Sequence, residues 1–303
     1  MTLNTQAAGL GNEPLIALVT VLYNCEKHLR LFFESLRAQA DRRFLVVVID
    51  NASADASLAQ ARALASAMEV PCDFIANDTN HGIATGNNQG IERALSLGID
   101  HVVLINNDTG FDPELIAEIR RRAIGEAHSA WTCLAYHSDT DVRWYGGGRL
   151  SYWLARGIHY SQSESERITT SRAVTYAPTC LMYLHRSVFE RIGLMDPRYF
   201  VYYDDTDFCR RMQHAGIALW YDPGVRFRHY VGGSSGGDLS AFFLRMSTLN
   251  KFVYIDKHYK YPQKLLILGL ALASKLLQLA SPRRRAATWA GLRSYLGRRG
   301  HAR

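Results

Sequence analysis

Residues 16–53 read IALVTVLYNCEKHLRLFFESLRAQADRRFLVVVIDNAS. Two apolar, β-branched runs, Ile16 to Tyr23 and Phe44 to Ile49, flank a segment from Lys27 to Gln39 in which Leu29, Phe32, Phe33 and Leu36 recur at helical spacing. Runs without polar alternation are buried on both faces, and a helix between two of them is the crossover that joins parallel strands. The pattern continues outward. Ala54 to Met68 reads as a helix, Cys72 to Ala76 as a strand, Asn87 to Leu97 as a helix and His101 to Ile105 as a strand. Pro113 to Arg122 reads as a helix opened by a proline, whose missing N–H costs nothing in a first turn. The expected fold class is α/β, a mostly parallel sheet flanked by helices. Ligands of such sheets bind beyond the carboxyl ends of the strands.

Past Arg122 the pattern is less regular. WYGGGR (144–149) reads as a glycine-rich turn, Ser151 to Arg172 as a flexible loop, Thr179 to Leu184 as a strand and Ser187 to Ile192 as a short helix. Asp207 to Ala215 reads as a helix, Ile217 to Tyr221 as a strand, and Val231 to Asp238 as a glycine-serine loop. From Leu239 onward the chain reads as all-helical. Leu265 to Ala280 is apolar apart from Lys275 and Gln278 and two small residues, and it falls short of the roughly 20 residues that span a bilayer. Such a segment can lie in a membrane interface, pack on the main body, or pair with a second copy of the chain.

With 48% hydrophobic and 21% charged residues among 303, the chain has ordinary globular composition and enough length for a core without staples. Cys25, Cys72, Cys133, Cys180 and Cys209 are odd in number and scattered, which argues against a disulfide framework or structural zinc and for a reducing compartment. The stretch MTLNTQAAGLGNEP lacks the pattern of a signal peptide, so a cytoplasmic protein is expected. The net charge of +7 is concentrated at the end, where Arg283, Arg284, Arg285, Arg293, Arg298, Arg299 and Arg303 occur with no acid after Pro282. That tail is either a solvated terminus or a surface for anionic lipid, at the cytoplasmic face of a membrane. The aromatic-basic interleaving of RNA-binding modules is absent, and no nucleic-acid partner is expected.

Several polar residues follow predicted strand ends. Asp50 can accept N–H bonds from a bound base, or cap the next turn. NHGIATGNNQG (80–90) lets backbone approach an anion, or is a plain glycine-rich turn. Asp108, in NNDTG, is placed for a hard divalent cation shared with substrate phosphates, or belongs to another turn. YYDDTDFCR (202–210) crowds Asp204, Asp205 and Asp207 into four residues. Mutual repulsion raises the pKa of one of them toward a proton acceptor's range. Helix-terminal charge accounts for Asp207 and poorly for the other two. A lone histidine is usually structural; His229 ends a strand beside the glycine-serine loop, a position that also suits a metal ligand.

Taken in order, VTVLYN (19–24), VVVIDNASAD (46–55), NHGIATGNNQG (80–90), LINNDT (104–109), residues 177–216 and WYDPGVRFRHYVGGSSGG (220–237) resemble the family 2 glycosyltransferases. The resemblance covers roughly residues 15–240 and is nearest to bacterial rhamnosyltransferases of O-antigen and related surface polysaccharides. It implies an inverting enzyme of GT-A fold, with a catalytic domain over 1–240 divided into a nucleotide-sugar half (15–110) and an acceptor half (111–240). A helical region with a basic tail (241–303) follows. Tyr23 would stack on the nucleotide base and Asp50 would bond its edge. Gly82 and Asn88 would lie near the nucleoside and diphosphate. Asp108 matches the last acid of the family's DxD motif and would hold Mg2+ or Mn2+, while Asn106 stands where the first Asp often is and would lie by the ribose. Asp205 matches the second acid of the ED motif and would be the general base, with Asp204 in place of the Glu. Asp204 and Asp207 remain as acceptor contacts or additional acids. His229, 24 residues after Asp205, matches a metal-binding histidine of some members. The implied donor is a dTDP- or UDP-sugar, with dTDP-rhamnose preferred, and the implied acceptor is a glycan or lipid-linked glycan. Peripheral membrane contact through 265–303 and a homo-oligomer are compatible with the C-terminal region. Two other readings compete: a sugar nucleotidyltransferase, opposed by the absence of a glycine-rich phosphate loop after the first strand, and a non-catalytic glycan- or lipid-binding scaffold, opposed by Asp108, Asp205 and His229.

Overall fold

The computed structural model describes residues 14–138, 140–230, 240–279 and 281–300. The expected 231–238 loop lies outside them. Strands β1 (Ile16–Leu22), β2 (Phe44–Asp50), β3 (Cys72–Ala76) and β4 (His101–Ile105) pair in parallel in the order β4-β1-β2-β3. Helix α1 (Glu26–Arg37) buries the predicted Leu29, Phe32, Phe33 and Leu36. Helix α2 (Ser57–Ala67) follows β2 and lies against α1.

The sheet extends past β4 through β11 (Leu181–His185), antiparallel to it, then β6 (Ala130–His137), β12 (Leu219–His229) and β10 (Arg172–Val174). Because β11 is antiparallel to both β4 and β6, the strands β6 and β12 run the same way as β1–β4. The carboxyl ends of six strands therefore share one edge. Short β5 (Thr109–Phe111) returns along the end of β12 and pairs His229 with Thr109. The fold is mixed α/β with a mostly parallel sheet, as expected.

Several elements differ from the sequence expectation. Helix α3 begins at Gly82 rather than Asn87 and runs to Ser96, so the glycine-rich stretch is helical. Its reason is packing: a Cβ at Gly90 would stand 2.2 Å from Cγ1 of Val19, so the missing side chain lets α3 lie directly on β1. Strand β6 was not anticipated, because Thr132 and Cys133 interrupt its apolar run, yet both are buried and the Thr132 hydroxyl donates to the Leu181 carbonyl. β12 does not end at Tyr221. A bulge after Asp222 absorbs the Pro223-Gly224 pair and pairing resumes to His229. The expected loop over 151–172 instead contains β9 (Arg156–His159), paired with β8 (Gly148–Ser151), and a short helix α5 (Gln162–Glu166) closed by a capping box from Ser161 and Glu164.

The main core lies between the sheet and its helices. A second apolar cluster joins α8 (Ala241–His258), α9 (Gln263–Leu279) and α10 (Pro282–Gly300) to Ala155 and Tyr199, with Tyr202 and Tyr203 packed at its margin. The C-terminal helices thus pack against the segment that precedes the Asp204-Asp205 pair.

Candidate active site

Tyr23 directly follows β1 and is 41% exposed at the carboxyl edge. Asp50 ends β2. Its Oδ2 accepts the Ser53 N–H at 3.1 Å, so the capping alternative holds for one oxygen, while Oδ1 is buried and meets no donor of the protein. An orphaned buried acceptor beside an exposed aromatic suits the N–H edge of a nucleobase. The two loops are stitched together: the Asn24 side chain accepts the Ala54 N–H at 2.8 Å and Ser53 Oγ accepts the Asn24 N–H at 3.1 Å.

Gly82 and Asn88 have protein partners. Gly82 has φ +83° and a Cβ there would stand 2.3 Å from the Phe200 carbonyl, so glycine is required for the approach of the 199–203 segment. Asn88 donates to the Met195 carbonyl at 2.8 Å and accepts the Met195 N–H at 2.9 Å. Both side-chain atoms are engaged, and the residue ties α3 to the chain leading to Asp205. The Asn88 side chain is thus engaged by its own fold.

Asn106 receives its place from backbone bonds: its N–H donates to Cys180 and its carbonyl accepts the Thr109 hydroxyl. Asp108 Oδ1 and His229 Nε2 stand 3.1 Å apart, brought together by the β5–β12 pairing. The contact lacks hydrogen-bond geometry: Asp108 Oδ1 is a buried atom without a donor, as is Nδ1 of His229 without a partner. Asp108 Oδ1, which meets no donor, and the His229 Nε2 that faces it fit a shared cation. Among the described residues no group of three or more His, Cys, Asp or Glu forms a complete cage. A Mg2+- or Mn2+-type ion does not need one, since it takes few protein ligands and completes its shell with phosphate oxygens and water.

Helix α7 (Asp204–His214) starts at Asp204, so all three acids lie in its first turn rather than Asp207 alone. Two consecutive left-handed residues precede it, Tyr202 (φ 65°) and Tyr203 (φ 67°). Non-glycine residues are uncommon there and persist only where surroundings impose the conformation. The surroundings are α8: the buried Asn250 amide donates to the carbonyls of Val201 at 2.8 Å and Tyr202 at 3.0 Å, and the rings of Tyr202 and Tyr203 pack on Phe243 and Tyr254.

The three acids then differ in environment. Asp205 is half-buried. Burial raises its pKa, opposed by the Tyr176 hydroxyl, which donates to Oδ2 at 2.7 Å, and by Thr206, whose N–H and hydroxyl bond Oδ1. Asp204 is more deeply buried, and burial and the neighbouring Asp205 both raise its pKa. Asp207 is fully buried. Burial pushes it up, but His258, Lys257 and Arg211 outweigh this and hold it below the usual carboxylate range. Asp207 is thus a tie between α7 and α8 rather than an additional acid facing substrate. Asp205 is left as a basic, partly accessible carboxylate on a fixed helix turn.

Sequence reasoning missed the groups that hold Asp205. Tyr176 immediately precedes the matching 177–216 stretch and is seated because glycine leaves room for it: a Cβ at Gly157 would stand 2.3 Å from its ring. The triple glycine at 146–148 therefore serves internal packing, with Gly148 also against Tyr176. His159, in the expected loop, donates its Nδ1–H to the Trp144 carbonyl at 2.8 Å, and Trp144 packs edge-on at 4.3 Å against His229. His159 thereby bridges the Asp205 and His229 sides of the site. Burial lowers its pKa, with nearby Asp205 opposing. No spacing in the sequence signals these partners.

A separate cleft of about 540 Å³ lies between α1 and the end of β12, lined by Leu31, Phe111, Asp112, Arg226 and Arg228. It contains none of Asp50, Asp108 and Asp205, and the chemistry is assigned to the strand-end crevice.

Known proteins resemble this chain in sequence and in fold. The chain is 27% identical to the N-acetylglucosaminyl-diphospho-decaprenol L-rhamnosyltransferase of Mycobacterium tuberculosis over 304 aligned positions, covering 89% of this chain and 95% of that one. It is 25% identical to the dTDP-rhamnosyl transferase RfbF of Shigella flexneri, covering 73% and 70%. Among solved structures, the mannosyltransferase PcManGT of Pyrobaculum calidifontis, in complex with GDP-Man and Mn2+, superposes with a TM-score of 0.60 at 16% identity over 94% of this chain and 76% of that one. S. aureus TarS 1–349 with UDP gives 0.56 at 16% over 89% and 73%. At these identities the structural likeness establishes the fold, which is of GT-A type. The profile described as glycosyl transferase family 2 matches residues 17–193, from β1 to the end of the helix after β11 and over more than half of the chain, and the protein belongs to that family.

Proposed function

We propose that this chain is an inverting, metal-dependent rhamnosyltransferase that moves rhamnose from dTDP-rhamnose to a hydroxyl of a glycan, free or lipid-linked. The observation that carries the reading is Asp205, a carboxylate of raised basicity held by Tyr176 and Thr206 beside the strand-end crevice. Tyr23 would stack on the thymine and Asp50 Oδ1 would accept its imide N–H. Asp108 and His229 would hold Mg2+ or Mn2+, which when bound neutralises charge on the departing diphosphate. Asp205 accepts the proton of the acceptor hydroxyl. The oxygen forms its bond to the anomeric carbon as the bond from that carbon to the diphosphate breaks on the opposite face, which inverts the configuration. Positioned proton removal is worth about 10²- to 10⁴-fold in rate. The choice of rhamnose, dTDP and a lipid-linked acceptor is supported by the names of the two sequence relatives.

The test is thermal unfolding with dTDP, UDP, GDP and CMP, each with and without Mn2+. A ligand that binds only the native state stabilises it by RT ln(1 + [L]/Kd). The expected result is a metal-dependent rise that is largest with dTDP. A larger rise with UDP or GDP would replace the donor, and no rise with any nucleotide would favour a non-catalytic scaffold.

A further inference from the structure

Helix α9 is amphipathic in the reverse sense. It turns Ile267, Ala271 and Lys275 inward and leaves Leu265, Leu266, Leu270, Leu272 and Leu276 between 45% and 62% exposed. A contiguous leucine face open to water marks an interaction surface. Its neighbours continue it. Tyr152, in the β8–β9 turn, donates to the Gln263 side chain at 3.1 Å, and its carbonyl accepts the Tyr259 hydroxyl at 2.6 Å. These bonds fix Trp153 (61% exposed) and Leu154 (48%) beside the start of α9. On α10, Arg285, Trp289, Arg293 and Leu296 form one exposed stripe at helical spacing. Alternation of tryptophan, leucine and arginine along one stripe is the composition of a helix lying in a bilayer interface.

We propose that the leucine face of α9, the Trp153–Leu154 turn and the exposed stripe of α10 together form a docking surface for an anionic lipid leaflet, inserted to headgroup depth. Charge decides between lipid and a second copy. Residues 263–303 contain no acid, and Arg285 and Arg293 stand exposed on the α10 stripe itself. A two-fold dimer sets the same patch against itself and would oppose those cations to one another, whereas anionic headgroups neutralise them. No helix among the described residues is long and apolar enough to cross a membrane, which fits a surface that lies on the leaflet. Behind the leucines, Lys275 and Lys251 sit close to Arg156, and burial pushes both lysines down to about 8. Tyr203, two residues before Asp205, packs at the margin of the apolar cluster that contains Ile267 and Ala271 of α9. The surface therefore adjoins the segment that carries the catalytic carboxylate, and docking would bring a lipid-linked hydroxyl to it. The proposal stands apart from the donor assignment, because lipid binding is measured without nucleotide.

The test is co-sedimentation of the full chain with vesicles of phosphatidylglycerol and phosphatidylcholine, and with phosphatidylcholine alone. Binding to the anionic vesicles that weakens with salt is expected. The Leu266→Glu/Leu270→Glu pair should lower partitioning about tenfold or more, with unfolding temperature and dTDP response retained because both side chains face solvent. Trp153→Ser, on a different element, should act in the same direction. Absence of binding by the unaltered chain, or equal binding by the leucine variant, would overturn the proposal. A dimer in sedimentation equilibrium that the leucine variant dissociates, without vesicle binding, would assign the face to a second copy instead.

Discussion

At the proposed nucleotide end of the crevice, Asp50 closes one parallel strand and Tyr23 and Asp108 follow two others, placed by the apolar runs of those strands. At the proposed catalytic end, Asp205 lies in the first turn of a helix behind two left-handed tyrosines, and its supports are distant in sequence: Tyr176 lies 29 residues away, and Asn250 lies 48 and 49 residues from the carbonyls it holds. The first end is built by strand pairing that the hydrophobic pattern already specifies. The second exists only when α8 is docked. Loss of a side chain should therefore act locally at the first end, and through turnover at the second.

The largest effect is expected at Asp205. Asp205→Asn should lower turnover about 10²- to 10⁴-fold and leave dTDP affinity by calorimetry unchanged. Retained turnover would remove Asp205 from the base role and dissolve the contrast between the ends. Next is Asn250, a positioning residue. Asn250→Ala leaves two buried carbonyls without a donor, at about 1–3 kcal/mol in urea unfolding. Relaxation of the strained tyrosines should lower kcat about ten- to a hundredfold with the donor KM unchanged. A change confined to stability would make α8 a passive prop. Asp50→Asn should do the reverse, weakening dTDP binding about tenfold while saturated turnover holds. Equal loss in kcat would mean that the two ends act as one unit. The smallest effect is expected from Tyr176→Phe. The tyrosine hydroxyl lowers the Asp205 pKa against burial, so its removal lets that pKa rise. Since the base acts as carboxylate, the acid limb of the kcat–pH profile should move to higher pH, with a plateau within a few-fold. A limb that stays in place would assign the titration to another group.

The same contrast sets how much could be read in advance. Buried runs such as FLVVVI carry their strand assignment in composition, and Asp50 and Asp108 follow from being where those runs stop. The segment 151–172 carries no such run, so β9 and His159 were hidden. Nothing local reveals that Met195 engages Asn88 or that Lys257 engages Asp207, for which helix-terminal charge is the local account. Gly86 reads as part of the loop before a helix, whereas it lies on a helix surface shaped to β1.

By itself the sequence determined the α/β class, the order of the parallel strands' motifs and the acids at their ends, because strand burial and turn chemistry are local properties of residue type. Tertiary structure alone decided which of three adjacent aspartates remains basic and accessible, that Asp108 meets His229, and which face of α9 is left in water. Those outcomes depend on desolvation and on partners brought in from elsewhere in the chain, and neither is encoded in the neighbours of a residue along the sequence.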